Sequence, residues 1–368
     1  VIQRSTETAR VLFPAAESAA RELIDSGGTT EVRFAVASAA DGDVQDRIVS
    51  AEGSRVANAP VDWLCAGKPA LAHAAVHALC AAGLSIDDDL RPLVAATDAW
   101  RPVTLREILT YRSGFTAATG RTRTRCVEEP PLARPADWDP LTDARYWNAG
   151  WELLPSVVAN ATGLDFATYL SEVVMRGHFG AGAVAVHRGA GRGYHDRDFI
   201  ADPQIRGVFI ERGLATAAVG PLGDLARFLL GVAVDVDADG PWGEAARLLI
   251  SANPGPDFFA TGVSDRLRWA LGFPHRLIDQ GFERIAAPDA FGAQGAVLAH
   301  VGRRLRYAWV VVSGAFPSLG AACAVAMTGL RPVPDDRYRR MVGALLEDLS
   351  GHETDRVPRG LAREGRTP

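Results

Sequence analysis

Cys65 and Lys68 lie three positions apart in Cys65-Ala66-Gly67-Lys68, at the head of an apolar run. A deprotonated thiol attacks acyl carbonyls, and an amine about one helical turn away on the same face is placed to take its proton. The lysine stands out further: it is the only one in the chain, and the other 38 basic residues are arginines. A general bias toward arginine explains the 38. The one lysine marks a position that arginine cannot serve, because a guanidinium does not give up its proton whereas a buried ammonium can. One bland reading of Cys65 stands beside the nucleophile: an ordinary small buried residue.

The elements that must position this pair follow from pattern. Pro69 suits the first turn of a helix, and PALAHAAVHALCAAG carries no breaker before Gly83, so a helix running from Lys68 places Cys65 at its N-terminus. There the aligned peptide dipoles favour a thiolate or a developing oxyanion. Upstream, a helix within residues 7–28 is followed by strands at 31–39 and 46–53, joined by a turn-forming ADGD. Residues 84 to 235 read as mostly helical, interrupted by an irregular loop at 115–145 that carries RTRTRC and suits substrate gating. The C-terminal third returns to strands, in RWALGF, GAVLAHVG, RRLRYAWVVVSG and AACAVAMTG, before a last helix in 335–351. Strands at both ends with helices between imply an α+β fold with a discontinuous sheet domain, 1–83 and 213–368, and a helical subdomain, 84–212.

Composition narrows the function classes. A net charge of −5 with mixed signs offers no basic face for nucleic acid or a membrane surface. No segment has about 18 uninterrupted apolar residues, and the first residues lack a signal-peptide pattern, so a cytoplasmic protein is expected. Cys65, Cys80, Cys126 and Cys323 follow no metal spacing and are read as reduced thiols. His73 and His77 lie four apart, but no carboxylate or cysteine completes a zinc site, so they are read as packing or surface histidines. Neither a metal nor a cofactor is called for.

Two more motifs lie far along the chain: Tyr146-Trp147-Asn148, and His300-Val301-Gly302 on a strand pattern. With Cys65-Ala66-Gly67-Lys68 they resemble the Ser-x-x-Lys, Tyr-x-Asn and His-x-Gly series of the serine β-lactamase and penicillin-binding superfamily, in its class C-like branch of β-lactamases, esterases and acyltransferases. The resemblance spans nearly the whole chain, with VTLREILTYRSGF, NAGWELLPSVVANATGLDFATYL and CAVAMTG as matching flanks. It implies an antiparallel sheet flanked by helices, with the nucleophilic serine exchanged for Cys65, by nature or by engineering. By the same resemblance Lys68 and Tyr146 act as general base and acid, and Asn148 fixes the lysine and the acyl amide. The backbone N–H groups of Cys65 and Arg303 form the oxyanion hole, and Gly302 lets substrate approach the strand. Ala293-Gln294-Gly295 is an alternative register for the third motif; distance to the closing strands favours His300.

The thiol steers the outcome. A thioester intermediate reacts with amines more readily, relative to water, than an oxygen ester, and exchanges at little cost with other thioesters. The expected activity is acyl transfer through an acyl-Cys65 intermediate, forming an amide or ester in natural-product biosynthesis. The donor is a small-molecule ester or thioester, free or carried by CoA or a carrier protein, and the acceptor is an amine or alcohol. A hydrolase using the same site and a non-catalytic ligand-binding relative are the alternatives; retention of the only lysine argues against the last.

Overall fold

The structure, a computed structural model, describes residues 13–27, 29–39, 44–55, 60–94, 101–117, 132–133, 139–140, 148–186, 213–251, 270–273, 289–301, 304–328 and 340–349. Its centre is a six-stranded antiparallel sheet in the order β3-β2-β1-β11-β10-β9. The strands are β1 (Glu31–Ser38), β2 (Val44–Ser50), β3 (Gly53–Arg55), β9 (Phe291–Val301), β10 (Arg304–Phe316) and β11 (Ala321–Thr328). N- and C-terminal segments meet where β1 pairs with β11, Val36 opposite Cys323. The expected sheet assembly is therefore present, as is the α+β fold. Residues 270–273, inside the RWALGF expected as a strand, instead form a bend that closes on itself through Ala270 N–H to Phe273 O.

Alternation along the strands sorts the sheet into two faces, because successive side chains point to opposite sides. On one face Val32, Phe34 and Val36 of β1 join Cys323, Val325 and Met327 of β11. These large residues pack against helix α1 (Pro14–Asp25) and the C-terminal helix at 340–349, through Ala16, Ala20, Leu23, Met341 and Leu345. On the other face stand the small Ala35, Ala37, Ala322, Ala324 and Ala326. Their short side chains let a helix approach closely, and Leu222–Asp235 lies against β1, β10 and β11 there. The N-terminus of α1 lacks a side-chain cap of its own. Asp348 supplies one from the C-terminal helix, accepting from Ala15 N at 3.1 Å and Ala16 N at 2.9 Å.

Helix α2 (Lys68–Ala81) is buried on all sides from Lys68 to Leu79. It packs against Leu154–Thr162, Gly240–Ile250 and the Tyr169–His178 stretch, which winds as a π-helix. An apolar, Ala-rich helix with no polar face is a core helix, and this one is. A second, three-stranded sheet, β4 (Val61–Asp62), β8 (Ala218–Gly220) and β7 (Ala185–Val186), was not visible in the sequence, its strands being two or three residues long. The expected loop at 115–145 lies largely outside the described residues; its Thr116–Ala117 and Leu132–Ala133 pair antiparallel, and RTRTRC is outside them.

Candidate active site

Cys65 stands on a single 3-10 turn, Leu64–Gly67, that runs straight into α2. The turn is anchored from below by the small sheet. Trp63 donates its backbone N–H to Ala218 O at 3.0 Å and its indole N–H to Gly220 O at 2.9 Å. Leu64 is held at φ 51, a left-handed conformation that costs a branched side chain about 1–3 kcal/mol. Such strain persists where packing over-determines it, and here the fixed Trp63 and the rigid helix do so. Gly67 has a packing reason to be glycine: a Cβ there would lie 2.9 Å from the Ala218 Cβ and 3.1 Å from the Trp63 Cβ.

The turn leaves Cys65 partly exposed while Lys68, one turn on, is 1% exposed. The Lys68 amine donates to Asn148 Oδ1 at 2.9 Å and hydrogen-bonds with the Cys65 side chain. Burial pushes the Lys68 pKa down from the ordinary lysine range, and the neighbouring Cys65 partly offsets this. A lysine so placed holds its proton weakly, and its neutral amine can accept one. Two aromatic rings complete its surroundings: Tyr111 and Trp151, centroids 5.2 and 5.4 Å from Nζ.

Asn148 comes to the lysine on the turn that starts the Ala149–Leu153 3-10 segment. Gly150 in that segment packs so closely that a Cβ would sit 2.9 Å from Ser113 Oγ. Tyr146, Gly302 and Arg303 lie outside the described residues.

The structure does not bring His300 to the Cys65 turn. His300 pairs with Leu305 at the closed end of the β9–β10 hairpin. The strand position beside the Cys65 turn is Ala293: Ser313, its partner on β10, has its hydroxyl 3.3 Å from Ala293 O and 3.4 Å from Ala66 O. His300 is seven residues further on, about 23 Å along an extended strand at ~3.3 Å per residue. The backbone that borders the turn is thus the Ala293-Gln294-Gly295 register that distance to the closing strands disfavoured. β9 begins at Phe291, four residues before the GAVLAHVG expected as a strand, and those added residues, at the end away from the hairpin turn, are the ones beside Ala66.

Sequence reasoning also missed Trp63, Tyr111, Trp151 and Ser313, each an ordinary core residue type; only the fold gathers them. His73 and His77 pack inside, not on the surface. His73 is wholly buried with its ring against Phe179, Phe228 and Trp242, and His77 stacks on Trp242 and meets the Tyr169 hydroxyl at 2.7 Å. Burial lowers their pKa values to about 3 and about 4. Among the described residues no helix is long and apolar enough to cross a membrane.

Solved structures share the fold. SurE solved with D-Leu is 17% identical with a TM-score of 0.59, covering 91% of this chain and 75% of its own. The Beta-Lactamase/D-Alanine Carboxypeptidase from Pseudomonas syringae is 12% identical at 0.60, covering 91% and 98%. D-amino acid amidase from Ochrobactrum anthropi SV3, complexed with L-phenylalanine amide, is 13% identical at 0.60, covering 92% and 99%. No curated protein sequence matches. The family model described as Beta-lactamase matches residues 34–347, which takes in the sheet from Phe34 onward, the Cys65–Lys68 turn and Asn148, and the chain therefore belongs to the beta-lactamase family.

Proposed function

We propose that the chain is a cysteine acyltransferase. The observation that carries this is the Cys65–Lys68–Asn148 set: a partly exposed thiol hydrogen-bonded to a buried amine, itself held by an amide oxygen at 2.9 Å. In the first half-reaction the Cys65 sulfur bonds to the acyl carbon while its proton passes to Lys68. The carbonyl reforms as the donor's alkoxide or thiolate leaves, and that group takes the proton, through Tyr146 by the family resemblance. In the second, an amine or alcohol attacks the thioester, gives up its proton by the same route, and Cys65 leaves as the thiol. The Cys65 N–H and the β9 backbone beside Ala293, in place of Arg303, stabilise the oxyanion, a contribution of about 3 kcal/mol per donor.

Aminoacyl or peptidyl groups suit the site as donors, since similar structures hold D-Leu and L-phenylalanine amide. Thioester chemistry favours amines over water as acceptors, and a free thiol nucleophile favours a reducing compartment, hence natural-product biosynthesis in the cytoplasm. Intact-mass measurement after incubation with acyl thioesters and esters, with and without an amine, tests the proposal. It expects an adduct on Cys65 that amine discharges faster than water. Discharge by water alone, unaffected by amine, replaces transfer with hydrolysis, and no adduct from a broad donor panel leaves a ligand-binding relative.

A further inference from the structure

The buried lysine does not sit in an aliphatic core. Its amine lies over two aromatic faces, Tyr111 at 5.2 Å and Trp151 at 5.4 Å from the ring centroids. The rings are 6.3 Å apart, inclined at 34°, and 2% and 0% exposed. They arrive from separate elements. Tyr111 follows helix α3 (Leu105–Leu109) at φ 61, a conformation a bulky residue rarely takes, and Trp151 lies in the 3-10 segment after Asn148. One loop fixes both. The Tyr111 hydroxyl donates to Gly272 O at 3.1 Å, and Gly272, at φ 94, approaches Trp151 so closely that a Cβ would lie 2.7 Å from Cη2.

The choice of tryptophan carries a cost that points to its purpose. Its indole N–H is buried without a hydrogen-bond partner among the described residues. Leucine or phenylalanine would fill the core without that loss. What indole offers over either is the strongest π face for a cation, and the Lys68 amine lies over it.

We propose that Tyr111 and Trp151 form a π enclosure that favours the protonated form of Lys68, so that these positioning residues, acting against burial, raise the pH at which the amine becomes free to take the Cys65 proton. Desolvation alone drives the amine toward its neutral form, and the two faces act against it, in the same direction as Cys65. Among the described groups around the amine, Cys65 and the Tyr111 phenol can titrate, Asn148 and Trp151 cannot, and Glu152 is turned away to accept from Leu214 N. The proposal rests on Lys68 serving as the proton acceptor of the proposed reaction.

The chain itself supplies the test, because Lys68 is its only lysine. Incorporation of 13C-labelled lysine, in a protein with no added lysine, gives one resonance whose pH titration reads Lys68 directly. Trp151→Leu and Tyr111→Leu are each expected to lower its midpoint by about one unit, whereas Tyr111→Phe, which keeps the face and loses the bond to Gly272, leaves it within ~0.3 unit. The pH profile of Cys65 alkylation by iodoacetamide is expected to move with it. If Trp151→Leu does not fold, Trp151→Phe, with a weaker face, gives a smaller shift in the same direction. Leucine variants that titrate with the native protein, or a Tyr111→Phe shift as large as that of Tyr111→Leu, overturn the enclosure. A lysine that shifts as expected while Cys65 accepts no acyl group keeps the enclosure and removes the acyltransferase reading; the reverse result separates them the other way.

Discussion

Acidification from pH 8 to pH 5 should weaken this fold through His73, and His73→Leu should remove that part of the loss. The side chain is fully buried, and neither ring nitrogen has a hydrogen-bond partner among the described residues. Burial, reinforced by His77 and His178, lowers its pKa from 6.5 to about 3. The unfolded chain therefore binds a proton below about pH 6.5 that the folded chain refuses until about pH 3, so stability falls as pH falls through that window. At pH 5 the gap amounts to about 1.5 units, or about 2 kcal/mol at 1.36 kcal/mol per unit. His77, lowered to about 4, acts with the same sign, whereas Asp46, raised to about 6 mainly by burial, acts with the opposite one. Around the stack lie Tyr169 against His77, Asp235 paired with His178, and Cys80 and Glu244, the thiol pushed up to about 11. These opposing groups make the native pH profile a sum, so the comparison with the variant is the informative quantity. Leucine matches the volume and removes two unpaired polar atoms, so equal or higher stability is expected at pH 8. Urea denaturation of both proteins at pH 8, 6 and 5 should show the native protein losing about 2 kcal/mol more than His73→Leu across the range. Parallel losses would refute a buried neutral His73.

Gly67→Ala places a methyl 2.9 Å from the Ala218 Cβ in the Cys65 turn, and should cost about 1–3 kcal/mol in denaturation while slowing Cys65 alkylation. Asp348→Ala uncaps α1 from the opposite face of the sheet; a loss of about 1–2 kcal/mol with an unchanged rate of Cys65 acylation is expected, and a slowed rate would contradict the separation of the two faces. Asn148→Ala leaves the buried amine without its oxygen acceptor and should reduce acylation by at least tenfold, measured by intact mass over time.

Much was legible because it is local. Gly-bounded, alternating segments gave β1, β2, β10 and β11, and an unbroken Ala-rich run gave α2, since strand and helix periods are written in neighbouring residues. The Cys65–Lys68 turn was equally plain, as the proposed chemistry needs both types one helical turn apart. Asn148 reached Lys68 across 80 residues of sequence, as the family resemblance implied.

What the sequence settled by itself is the pair Cys65 and Lys68, made conspicuous by a chain with no other lysine, and the order of helices and strands around it. What the tertiary structure decided is which backbone borders that pair and what surrounds the amine. His300 and Ala293 lie on one strand, and nothing in their spacing says which faces the turn; the register of β9 on β10, fixed by the hydrogen-bond ladder, brings Ala293 there. Tyr111 and Trp151 likewise read as core aromatics until loop 270–273 draws them over one amine. Proximity across a fold comes from packing between distant segments, and local pattern does not encode it.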